Sequence, residues 1–73
     1  MNRSEDALAR AERRVEETAV ALMAQSALVA VFRRQGHRLA AAEARSTLEA
    51  LQTALTLAQL CARAERRARG LSD

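Results

Sequence analysis

Residues 29–44 read VAVFRRQGHRLAAAEA, and this stretch decides the fold. Its first half has the grammar of a helix end. Arg33 and Arg34 put cations where the carbonyls of a last turn carry negative partial charge. Gly36 then supplies a residue free to take positive φ just past that turn. Its second half, Leu39 to Ala44, is built of strong helix formers and makes poor loop material. Two helices joined by so short a linker lie side by side and antiparallel.

The same grammar closes the chain, where Arg66, Arg67 and Arg69 precede Gly70, and Leu71-Ser72-Asp73 reads as a frayed tail. At the start, Ser4 is a candidate cap with Glu5 and Asp6 in the first turn, and Asn2 with Glu5 forms an alternative capping box. The chain therefore reads as one all-α domain over 1–73, an antiparallel two-helix hairpin. The first helix is expected at about 4–35, the turn at 36–38 and the second helix at about 39–69. No good cap precedes the second helix. Ser46-Thr47-Leu48-Glu49 is a formal capping box that would delay its start, but the helical propensity of residues 39–44 favours the earlier one.

Apolar spacing gives each helix a face. Leu8, Val15, Leu22 and Val29 recur every seven residues, and Ala11, Thr18, Gln25 and Phe32 follow each by three, which is an a/d seam. In the second helix Ala41, Ala44, Leu48, Leu51, Leu55, Ala58 and Ala62 alternate steps of three and four. The middle carries more than one stripe. Val20, Met23, Ala27, Ala30 and Val31 flank the first seam, and Ala50, Ala54, Leu57 and Cys61 flank the second. From Thr18 to Phe32, and again from Ala50 to Ala62, there is no charged residue. A wide apolar belt with charge at the ends fits a helix that packs on two neighbours. A homodimer forming a four-helix bundle is the simplest expectation, with Leu8, Val15, Leu22, Met23, Gln25, Val29, Phe32, Leu48, Leu51 and Leu55 as its interface residues.

Composition agrees. The 73 residues include 18 Ala, 10 Leu and 12 Arg, with no Pro and two Gly, so helix formers dominate. A unit of this size buries little of its apolar surface, and small scaffolds compensate with disulfides, a metal or oligomerisation. One cysteine, Cys61, excludes an internal disulfide. Cys61 with the single His37 excludes a sensible zinc set. Oligomerisation remains. No phosphate loop, metalloprotease helix, nucleophile elbow or converging carboxylate pair is present, so the sequence implies no enzyme, no cofactor and no metal. The N-terminal run is too charged for a secretory signal, and the 15 uncharged residues from Thr18 fall short of the ~20 that span a bilayer. The expectation is a cytoplasmic protein with no membrane span.

Individual residues sharpen this. Gln25 interrupts the apolar seam, where a polar side chain can set register, satisfied by a neighbouring backbone group or a symmetry mate. His37 reads as a turn or cap residue and Cys61 as a small core-filling hydrophobe. Asp6 with Arg10, Arg13 with Glu17 and Glu65 with Arg69 are spaced to pair along a helix. The net charge of +3 rests wholly on Arg. An antiparallel hairpin gathers Arg10, Arg14, Arg63, Arg66 and Arg67 at its open end, where they are candidate phosphate contacts. Interspersed acids and a single aromatic, Phe32, leave nucleic acid open without favouring it.

Arg13-Arg14, Gln25, Leu28-Val29, Gly36-His37, Ala42-Glu43 and Leu55 together resemble the pattern of a group of short bacterial helical-hairpin proteins. The likeness covers about half the chain and implies the hairpin fold without an activity. After the turn the group tends to place a capping Asp-Thr, where Arg38-Leu39 stand here. In size and topology the chain also resembles the repressor-of-primer type of dimeric hairpin, an architectural analogy that implies pairing of two hairpins. The sequence thus points to a self-associating adaptor or regulator. A nucleic-acid-binding hairpin dimer is the alternative, and an amphipathic membrane-surface protein the weaker third reading.

Overall fold

The helix end expected at Gly36 is present, closed as a Schellman motif, and sets the architecture. The computed structural model describes residues 3–70 and contains two helices, α1 (Arg3–Arg34) and α2 (Arg38–Ala68). At the end of α1 the His37 amide donates to the Phe32 carbonyl at 2.9 Å, and the Gly36 amide donates to the Arg33 carbonyl at 3.1 Å. Gly36 holds φ at +74°, a conformation that costs other residues a clash at Cβ. The His37 ring closes the motif against Phe32, with ring centroids 6.2 Å apart.

α2 then begins at once. His37 stands at its N-cap with no side-chain capping bond, and its carbonyl accepts from the Ala41 amide at 2.9 Å. The capping box at Ser46 is therefore interior, because residues 38–45 already form the first two turns. At the far end Gly70 holds φ at +78°, and its amide donates to the Arg67 carbonyl at 3.0 Å. Ser4 stands inside the first turn of α1 instead of before it. The side-chain caps considered at Asn2 and Ser4, and the tail 71–73, lie outside the described residues.

The helices pack along their full length as a hairpin about 50 Å long and 18 by 15 Å across. Two contacts between them fix the register. Gln25 Nε2 donates to the Ala44 carbonyl at 2.9 Å, so the polar seam residue is satisfied by backbone of the same chain. Near the open end, Arg66 Nη2 donates to Glu12 Oε2 at 2.7 Å. The buried core alternates large and small. Leu8 and Val29 are buried on α1, and Ala41, Ala44, Ala58 and Ala62 on α2. Alanines at both ends of α2 let the helices approach. Leu48, Leu51 and Leu55 fill the middle and remain half-buried.

Two packed cylinders enclose little. No large side chain among the described residues is fully buried. The chain exposes 5599 Å², whereas a compact monomer of 8.0 kDa exposes about 4,450 Å² by the usual size scaling.

Candidate interaction surface

The residues assigned from sequence to an oligomer interface divide. Leu8, Val15, Leu22, Gln25, Val29, Phe32, Leu48, Leu51 and Leu55 are buried or half-buried on the faces that meet within the hairpin. Met23 points away, 71% exposed. The seven-residue period marks faces that meet within the hairpin, and most of these side chains remain half-buried there.

Much of the predicted apolar flank is in the open. Val20 is 67% exposed, Leu57 is 58% exposed, and Ala27, Ala50 and Ala54 are exposed. Ala30 and Val31, near the turn, are half-buried. Leu28, Leu39 and Leu60 are also exposed, which the spacing did not predict. The missed signal is positional. Leu28 is one residue from the seam position Val29, hence about 100° away around the helix, and Leu60 falls outside the three-and-four spacing of the second seam.

Cys61 requires a correction. Expected to fill the core, it is exposed. Ala58 and Ala62 occupy the buried positions on either side of it, which turns Cys61 to the hairpin's flank. There it shares a shallow groove with Arg14, Glu17, Thr18, Ala54 and Leu57.

The sides of the hairpin differ in polarity. The groove opposite the Cys61 side, toward the open end, is lined by Glu12, Glu16, Gln59, Arg63 and Arg66. Nearer the turn the same side presents Ser26, Arg33, Arg45, Glu49 and Gln52. Both stretches mix acid with base, so neither presents the one-signed field that attracts phosphate. Of the arginines considered for nucleic acid, Arg10, Arg14, Arg63 and Arg67 are exposed. Arg66 is half-buried and held by Glu12. The pairs expected for Asp6 with Arg10 and for Arg13 with Glu17 do not close among the described residues. An exposed pair gains little against its own side-chain entropy, and a base preceding an acid is the weaker order along a helix. Among the described residues no group of three potential metal ligands occurs.

By length and composition, the stretch Asp6–Arg34 of α1 is apolar enough to cross a membrane, with 6% of its apolar window buried in the hairpin. Its uncharged portion, Thr18 to Phe32, is ~22 Å long as a helix, against ~30 Å for a hydrocarbon core. One face of that portion is also packed on α2 and anchored by Gln25. No protein-family model matches the chain, and no curated protein or solved structure shows significant similarity to it.

Proposed function

We propose that this chain is a small, non-enzymatic interaction protein that works in the cytoplasm as a self-associated helical hairpin, an adaptor or regulator built around a dimer of four helices. One observation carries the reading: between Thr18 and Phe32, where the sequence has no charge, the outer side of α1 exposes Val20, Met23 and Leu28. Large contiguous apolar patches are uncommon on monomers and mark interaction sites. A reducing compartment suits the exposed Cys61 thiol.

The test is light-scattering mass together with thermal melts at two protein concentrations. A mass of two chains and a melting temperature that rises with concentration are expected, because association stabilises the folded form by mass action. A single-chain mass with a concentration-independent melt overturns the reading. Leu22→Glu, which places a charge in the half-buried seam, is expected to unfold the hairpin and abolish association together.

A further inference from the structure

α1 carries two apolar stripes, and the hairpin uses one of them. On the side away from the seam, Val20, Ala24, Ala27 and Val31 recur at steps of four, three and four, which keeps them on one face. Val20, Ala24 and Ala27 are exposed, and Val31 is half-buried near the turn. Met23 and Leu28 flank the stripe, 71% and 41% exposed. The next residues in the same spacing are Glu17 at one end and Arg34 at the other. Both are exposed, and neither joins an ion pair among the described residues.

From Glu17 to Arg34 the stripe runs acid, valine, alanine, alanine, valine, base. Reversed, it is its own complement. Resting on the self-association reading above, we propose that a second copy of the chain docks on this face, α1 against α1 and antiparallel, with the two-fold axis between Ala24 and Ala27. Val20 then lies against the partner's Val31 and Ala24 against the partner's Ala27, with Met23 covering one flank of the contact and Leu28 the other. Glu17 meets the partner's Arg34 at each end. Two-fold symmetry makes every one of these contacts twice.

Three features select this arrangement. Alanines flanking the axis let two helix backbones come close, and the larger valines and the Met23 and Leu28 side chains cover the contact to either side. A parallel alignment sets Glu17 beside the partner's Glu17 and Arg34 beside the partner's Arg34, so charge rejects it. The contact runs ~26 Å along the helix, long enough to cover most of the uncharged belt. The corresponding outward side of α2 is interrupted by the exposed Ser46, Thr53 and Thr56, so α2 offers no equivalent stripe.

The test compares the full-length wild type with E17R, R34E and E17R/R34E by sedimentation, with circular dichroism as the folding control. Each single change sets like charges face to face at two places and is expected to weaken dimerisation on the order of tenfold, with helix content unchanged. The double change restores the dimer. Single variants that dimerise like wild type, or a double variant as weak as the singles, overturn the register and leave self-association standing. A wild type that is monomeric at every concentration, including one that binds vesicles of phosphatidylglycerol and phosphatidylcholine instead, overturns both. Should a charge variant fail to fold, cross-linking decides. On a C61S background, chains carrying A24C and chains carrying A27C are mixed and oxidised. Disulfides between the two kinds are expected to outrun those within each kind, and equal rates overturn the register.

Discussion

α1 and α2 are nearly equal in length, 32 and 31 residues, and contribute matching stripes to one seam, yet they end in different states. α2 is strongly one-sided. Its four buried residues are alanines of the seam, and much of its outer side is polar. Thr47, Thr53 and Thr56 turn their hydroxyls back onto the carbonyls of Glu43, Glu49 and Gln52, so they are satisfied within their own helix. α1 is weakly one-sided, because from Thr18 to Phe32 its outer face is as apolar as its inner one. Amphipathicity reports how many neighbours a helix has. The hairpin covers the alanine stripe of α2 and leaves Leu39, Leu57 and Leu60 exposed without a continuous stripe, whereas α1 keeps a second continuous stripe, so that stripe is the place to look for a partner.

The sharpest way to break the comparison is to strike the face that the helices share. Val29 is 5% exposed in the seam, and Val29→Asp forces a charge to be buried or the contact to open. A loss of at least about 3 kcal/mol is expected, read as collapse of the helical circular dichroism signal. The outer faces should then separate the two helices. Val20→Glu on α1 is expected to leave helix content intact and weaken association more than tenfold, about 1.5 kcal/mol, in sedimentation. Thr53→Glu on the exposed side of α2 is expected to change neither. Equal effects from the two substitutions would erase the distinction between the helices.

The two helix ends offer a smaller contrast. Gly36 and Gly70 both hold positive φ, and neither would bring a Cβ within 4 Å of another group. An alanine at either position therefore meets backbone strain alone. At Gly36 the strain falls within the turn that aligns both helices, whereas Gly70 follows the last turn of α2. Gly36→Ala is expected to cost about 1 kcal/mol and lower the melting temperature by about 4–8 °C, with Gly70→Ala costing less.

Much of this was legible in the sequence because it is local or periodic. Arg33-Arg34-Gln35-Gly36 marks a helix end in any context, and the seven-residue recurrence of Leu8, Val15, Leu22 and Val29 defines a face whatever covers it. What covers that face is a matter of tertiary geometry. The two seams meet within the hairpin, as the short linker predicts, and leave Leu22, Leu48, Leu51 and Leu55 half-buried, an exposure that period does not encode. The small apolar side chain of Cys61 predicts an inward position. The buried side of α2 is narrow, and Ala58 and Ala62 already fill it. The type of Gln25 marks it as a register residue, but its partner, the Ala44 carbonyl, depends on how the helices align. The expected pairs Asp6–Arg10 and Arg13–Glu17 came from spacing along one helix, a rule that does not reach across to a second.

The pair that does form, Glu12 with Arg66, spans 54 positions in the chain and tests the open end of the hairpin. Its two side chains are 42% and 43% exposed, so water screens their attraction, and a worth of about 0.2–1 kcal/mol is expected. Glu12→Gln should lower the melting temperature slightly at low salt, with the difference shrinking as ionic strength rises. At the turn end the uncharged bond from Gln25 to Ala44 holds the same register, so Gln25→Ala should show a salt-independent loss. If the Glu12→Gln loss also persisted in high salt, the open end would be held by packing and hydrogen bonding at that site, and charge would contribute little to holding α1 and α2 together there.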